Sequence, residues 1–314
     1  MTPGPLRRLG EGALGRTSLG GWARPALREV RSLGWRATVS ANAAGEGVRR
    51  RRTGSPVTLV AGDPEGLASQ PRVAVLAEFS RGAAVRPWAL RMAGALAASG
   101  YPCIIVAARD LAGRVEAPHE LPAGVAVVTR GNDRLDFGSW AAAIEAFPGL
   151  AEAEHVLLAN DSIIGPLGDE EAVAALLARG EASGPGVFAA TRGLVGSDHL
   201  QSFWLQFNGT FGHPAVTAFF ADLPRTRDRA DLNLRYEHAL SETLRRSGLT
   251  LGWAWDASSW GLPPSYNPSL CWRELLDAGF PFVKRKLLGD HPRFRGVREE
   301  VRAHVRERYG VELT

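Results

Sequence analysis

The sequence is short of cysteine, lysine and long apolar runs, and each shortage narrows what the protein is. Cysteine occurs twice, at Cys103 and Cys271, far apart and each in an apolar setting. Two such thiols make neither a disulfide framework nor a thiolate metal site, so they read as buried free cysteines suited to a reducing compartment. Lysine also occurs twice, at Lys284 and Lys286, leaving nearly all positive charge to arginine. With heavy use of alanine and glycine, this points to a GC-rich genome. The longest stretch without a charged or histidine side chain, Met92 to Ala108, is broken by Ser99-Gly100-Tyr101-Pro102 and reads as helix end, turn and strand, not a membrane span. The amino terminus shows no apolar signal-peptide core.

What is present is an ordinary globular balance, 45% hydrophobic and 22% charged over 314 residues. The formal net charge of +4 is unevenly spread. Its excess gathers before residue 73, in Arg7, Arg8, Arg16, Arg24, Arg28, Arg31, Arg36 and Arg49 to Arg52, and the remainder is near neutral. A nucleic-acid partner is therefore not expected, whereas a basic, mostly disordered tail over residues 1–70 is. Within it Leu27, Val30 and Leu33 share a helical face beside Arg24, Arg28 and Arg31. Such a face would rest on anionic lipid, giving a cytoplasmic protein peripheral contact with the inner face of the cell membrane. A simply solvated tail is the alternative.

From Arg72 onward, short apolar runs alternate with helical patterns. Strands are predicted at 73–77, 103–107, 125–128, 155–159 and 187–190, with helices at 86–99, 139–147 and 169–179. This order predicts an α/β fold, a mainly parallel sheet flanked by helices. Ligands of such sheets sit beyond the carboxyl ends of the strands, which singles out the loops after Ala77, Val128 and Ala159. The second half is mixed, with a short strand at 203–207, helices at 232–247 and 270–278, and Trp204, Trp253, Trp255, Trp260 and Trp272. Residues 293–314 read as a C-terminal helix.

Three segments carry candidate chemistry. In HVLLANDSIIGP a buried strand delivers Asn160, Asp161 and Ser162 to the ligand edge, a set suited to a hard divalent cation, Mg or Mn, on a diphosphate. Equally, Asp161 or Ser162 would close a turn or cap a helix. In RGNDRLDFGSW, Asn132 and Asp136 reach the same edge, Asp136 either contacting base, ribose or metal or capping the following helix. The DFG string is not a kinase signature, for the HRD segment, glycine-rich loop and strand lysine are missing. In LRYEHALSETL, Glu237 opens a helix, where it serves either as a base or as a first-turn acid complementing the helix dipole.

At these segments the chain resembles the rhamnan-synthesis protein F family of glycosyltransferases. The resemblance runs from about Val73 to Pro292, through VAVLAEFSRGAAVRPWALRMAGAL, DFGSW, LLANDSIIGP, HLQSFWLQF, YEHALSETL and NPSLCWRELLDAGFPFVKRKLL. It implies a GT-A-like fold, with residues 71–292 as the transferase domain, 71–192 its nucleotide-sugar-binding half and 193–292 its acceptor half. It implies donor-binding roles for Asn132, Asp136, Asn160, Asp161 and Ser162, with Asp161 the metal ligand, although one carboxylate stands where two are common. It makes Glu237, in Glu237-His238, the general base, and His199, Gln201 and Trp204 acceptor-side residues. Aromatic faces from Trp253, Trp255, Trp260 or Trp204 would stack on sugar rings. His291 stands near a place where the family usually has asparagine and reads as a solvent-exposed substitution.

The activity implied is an inverting transfer of rhamnose or a similar sugar. The donor would be a nucleotide-diphospho-sugar such as dTDP-rhamnose, and the acceptor a cell-surface polysaccharide or lipid-linked glycan. A non-catalytic scaffold of a polysaccharide-assembly complex is the alternative. A nucleotidyl- or phosphotransferase is disfavoured by the lack of a glycine- and lysine-rich phosphate loop.

Overall fold

The computed structural model describes residues 56–110, 114–223, 233–263, 266–291, 294 and 296–313. Its first half runs β1 (Thr58–Ala61), α1 (Pro64–Ala68), β2 (Arg72–Phe79), α2 (Pro87–Ala98), β3 (Cys103–Arg109), β4 (Val125–Gly131), α3 (Leu135–Ala146), β5 (His155–Asn160), β6 (Ile163–Ile164) and α4 (Glu171–Glu181). There follow β7 (Gly186–Gly193), β8 (His199–Leu200), β9 (Trp204–Asn208), α5 (Pro214–Ala221), α6 (Ala239–Arg246), β10 (Leu251–Trp255), α7 (Trp272–Asp277), β11 (Val283–Lys284) and α8 (Val297–Tyr309).

The apolar runs become the inner strands of one sheet, ordered β1-β4-β3-β2-β5-β9-β7-β10, with β8 beside β7. Strands β4, β3, β2 and β5 are mutually parallel, β9 runs antiparallel to both neighbours, and β10 is parallel to β7. Successive side chains of a buried strand face opposite sides, so a single run supplies two cores. Ala74 and Leu76 join Cys103, Ile105 and Leu96 on one face. Val73 and Val75 join Ile104, Val106, Phe137 and Trp140 on the other. A third cluster packs Val297, Val301 and Val305 of α8 against Trp272, Leu276 and Leu287. The mainly parallel α/β sheet is as expected, and both cysteines are free and buried. Among the described residues no helix is long and apolar enough to cross a membrane.

One boundary differs from the sequence reading. Residues 56–70 are not tail: β1 pairs antiparallel with β4, Thr58 opposite Thr129, and α1 is capped by the Asp63 carboxylate accepting from the Gly66 amide at 3.0 Å. A four-residue edge strand is held by backbone bonds and shows no clean alternation, so hydrophobic patterning passes over it. The 192–193 division, drawn inside one domain, falls at the end of β7, with β9 and β10 of the same sheet on its far side. Leu27, Val30, Leu33 and the remaining tail arginines lie outside the described residues.

Away from the ligand edge, a polar staple ties the sheet to α4. Arg72 forks onto Glu181 at 2.9 and 3.1 Å, Tyr101 donates to the same carboxylate at 2.7 Å, and Gln206 donates to the Tyr101 hydroxyl at 2.9 Å. The Arg72 bond, with that of Tyr101, holds the Glu181 carboxyl down at about 2 against the opposing effect of burial. A depressed carboxyl contributes stability above its ordinary value of 4.5, and this is lost as pH falls toward about 2. Glu181→Gln should therefore cost roughly 1 kcal/mol at neutral pH, since Arg72 is partly exposed. In denaturant titrations at decreasing pH the variant and wild type should converge below pH 4.5; a constant gap would remove ionisation of Glu181 from the explanation.

Candidate functional site

The parallel strands end on a polar cluster centred on Asp161, the residue that follows β5. Its amide donates to the Ala77 carbonyl on β2 at 3.0 Å, extending the parallel pairing by one residue and turning the carboxylate inward. Asp161 as a whole is 4% exposed. Its Oδ2 accepts from Arg86 at 3.0 Å, from Arg285 at 2.7 Å and from the Phe79 amide at 3.3 Å. Burial, together with the nearby Asp136 and Glu78 charges, pushes the Asp161 carboxyl up to about 8, while Arg86 and the Phe79 amide pull against them.

Neighbouring residues are fixed by short-range geometry. Asn160 accepts from the Ser162 amide at 3.1 Å, an Asx turn, and donates to Asp136 at 3.0 Å. Asp136 lies in the first turn of α3 after Arg134 and Leu135, both left-handed at φ 63° and 53°. Non-glycine residues rarely adopt that conformation, and two together are held by their surroundings. The glycine of DFG is required by contact: a Cβ at Gly138 would lie 2.1 Å from the Asp133 carbonyl oxygen. Asp136 thus sits inside the helix and does not cap it.

The cations arrive from the far end of the chain. β11 pairs antiparallel with β6, Lys284 opposite Ile163, and the Arg285 amide donates to the Ser162 carbonyl at 2.8 Å. Gly165, at φ 156°, lets this ribbon close, since a Cβ there would meet Phe282 and the Pro281 carbonyl at 2.6 Å. Lys284 donates to the Ser162 hydroxyl at 3.0 Å and lies 3.4 Å from the Phe203 ring centre. Burial pushes its ammonium down to about 7, against the raising effects of Glu237 and Asp136. Beside this group, Glu78 is fully buried and bonded to Arg109 at 2.7 Å.

Glu237 falls in a single π-helical turn, Asn233–His238, ahead of α6. Such turns occur often at functional sites. Its Oε1 accepts from the Ser202 amide at 2.8 Å and the Ser202 hydroxyl at 2.5 Å. His238 stacks on His199, ring centres 3.9 Å apart, and burial, then the His199 charge, pushes its imidazole down to about 3. Gln201 accepts from Thr191 at 2.6 Å. Thr191 in turn lines a small recess with Arg192, Trp255, Trp260 and Tyr266 at the ends of β7 and β10.

Of the residues singled out from sequence, Asp136, Asn160, Asp161 and Ser162 come together, and the charge of Glu237 is felt at Lys284 beside them. Asn132 instead donates to Asp110 at 2.9 Å, on an exposed surface. Trp204 is fully buried against Phe282 and is a core residue, because the central place of β9 covers both of its faces. Trp253 is covered by the Arg192 guanidinium at 3.9 Å, while Trp255 and Trp260 border the recess. His291 is exposed, as expected. Missed were Glu78, Arg86, Arg109, Lys284 and Arg285. The scarcity of lysine was the available signal, since Lys284 is one of only two.

The site does not suit the divalent ion expected on Asp161. Magnesium, for one, is held by one or two carboxylates together with phosphate oxygens and water, so the carboxylate must be open to it. Asp161 Oδ2 already serves two guanidinium groups, and among the described residues no group of three His, Cys, Asp or Glu side chains could hold a metal. Scanning the chain against protein-family models gives no match, and no curated protein matches it either.

The geometry sets a test for Asp161. Removing a buried ion-pair partner ordinarily costs several kcal/mol, yet Arg86 and Arg285 are 25% and 26% exposed and can turn to water. Asp161→Asn should therefore shift unfolding by only about 1 kcal/mol at neutral pH. The raised carboxyl contributes stability that is complete below 3.8 and lost as pH rises toward about 8, so the substitution should flatten that part of the stability–pH curve. An unchanged slope would show that Asp161 does not titrate in this window.

Proposed function

We propose that the protein is a glycosyltransferase that takes a sugar, rhamnose or similar, from a nucleotide-diphospho-sugar and places it on a polysaccharide or lipid-linked glycan. One observation carries this reading. Glu237, held by Ser202, lies within electrostatic reach of a cationic group gathered at the carboxyl end of the central strand. A base beside cations is what displacement at an anomeric carbon needs: one takes the acceptor proton, the others offset charge on the departing diphosphate. The sheet supports a GT-A-like reading. Its parallel strands β4, β3, β2 and β5 form a nucleotide side, and β9, β7 and β10 an adjoining acceptor side.

In this mechanism the two Ser202 bonds orient Glu237. Both fall on Oε1, so Oε2 is the oxygen that would meet the acceptor hydroxyl. Trp255, Trp260 and Tyr266, around the adjoining recess, offer the flat apolar faces on which sugar rings stack. Asn160 and Asp136 stand by the nucleotide side, where amide and carboxylate suit ribose or base. A scaffold without catalysis is the second reading, favoured by the ion pairs that close over Asp161.

Glu237→Gln decides between them. Loss of a positioned base should lower transfer by about two to four orders of magnitude while donor binding persists. Release of nucleoside diphosphate from a panel of nucleotide-sugars, with calorimetric binding on the same preparation, measures both. Donor binding without turnover in the wild type, whatever the acceptor offered, would favour the scaffold.

A further inference from the structure

The strand-end cluster answers a question that the transferase reading leaves open: what holds the diphosphate when the carboxylates do not suit a metal ion. Three cationic heads meet over two consecutive residues. Arg86 and Arg285 both donate to Asp161, at 3.0 and 2.7 Å, and Lys284 donates to Ser162 at 3.0 Å. They come from separate elements. Arg86 immediately precedes α2, its side chain lying 5.1 Å from the Trp88 ring centre, and the other two sit on and after β11. Each arginine side chain is about a quarter exposed, so solvent reaches part of it. Another strand-end cation, Arg109, is 4% exposed and committed to Glu78.

We propose that Arg86, Lys284 and Arg285 form a metal-independent clamp for the diphosphate of a nucleoside-diphosphate ligand, with Asp161 holding the two guanidiniums in place until phosphate oxygens replace it. This rests on the transferase reading and specifies how its donor is bound. Three features support it. Guanidinium donates alike to carboxylate and phosphate oxygens, and each arginine meets Asp161 through a single nitrogen, so a phosphate oxygen can take that place. Lys284 gains charge when an anion arrives, because the anion opposes the burial that holds its ammonium low. A metal bridging the diphosphate would place further positive charge against all three side chains, which repels it.

The test is calorimetric titration of the full chain with UDP and with dTDP, in excess EDTA and then with manganese in excess. Inorganic pyrophosphate and geranyl diphosphate are run alongside. The clamp predicts nucleoside-diphosphate binding in EDTA that manganese leaves unchanged. Arg285→Gln and Lys284→Gln should each weaken it ~10- to 100-fold, the usual worth of one charge-assisted contact. Arg285→Lys should retain more affinity than Arg285→Gln, and melting temperatures taken on the same samples separate lost contacts from lost folding. Binding that appears only with manganese would overturn the clamp and leave the transferase reading standing. Affinity for geranyl diphosphate but for neither nucleotide would assign the cations to a lipid-linked ligand and overturn the donor assignment. Absence of binding by all four compounds, with and without metal, would remove both the clamp and the donor site.

Discussion

A carboxylate that burial disfavours, kept at the end of the central strand by two arginines, is the constraint on which the functional corner of the molecule rests. Asp161 owes its place to the sheet, since its amide continues the pairing of β5 with β2. The arginine side chains meet on Asp161, with Arg86 also 3.8 Å from Glu78 and Arg285 carried in by the β6–β11 ribbon. Arg86 is thereby tied to the entry of α2, and Arg285 ties the β6–β11 ribbon across the strand ends. Backbone pairing thus decides where the charge lies, and the charge decides how distant parts of the chain converge.

Comparison with Glu181 shows which electrostatic effect wins in each setting. Both acids bind arginine within 3 Å or close to it. At Glu181, a partly exposed site, the arginine bond dominates and the carboxyl is depressed. At Asp161 desolvation and two neighbouring acids outweigh the cations, and the carboxyl is raised. The same ion-pair chemistry therefore favours the ionised acid at one end of the sheet and fails to do so at the other.

What could be read from the sequence follows from how each part is held. The inner strands were legible because burial on both faces demands continuous apolar runs, and VAVLA and HVLLA have them. Asn160, Asp161 and Asp136 were legible because ligand edges lie after such strands. Glu78 was hidden by belonging to its strand rather than to the loop beyond it. Lys284 and Arg285 were hidden because β6 and β11 have two residues each, too few for any period to register. Trp204 misled because its sequence setting resembles an aromatic binding face, while its burial comes from Phe282, which lies far along the chain.

The order of strands in the sheet is not their order of synthesis. β9 lies between β5 and β7 although it is made after β7, and Arg285 meets Asp161 across 124 positions of sequence. A chain leaving the ribosome can pair β2 through β5 as they emerge. β7 has only the two-residue β8 beside it until β9 arrives, and the strand ends stay open until the ribbon closes. Contacts of such long range form slowly compared with local ones. A chain stopped before residue 283 would hold every strand of the main sheet and none of the charge that Lys284 and Arg285 bring to its edge.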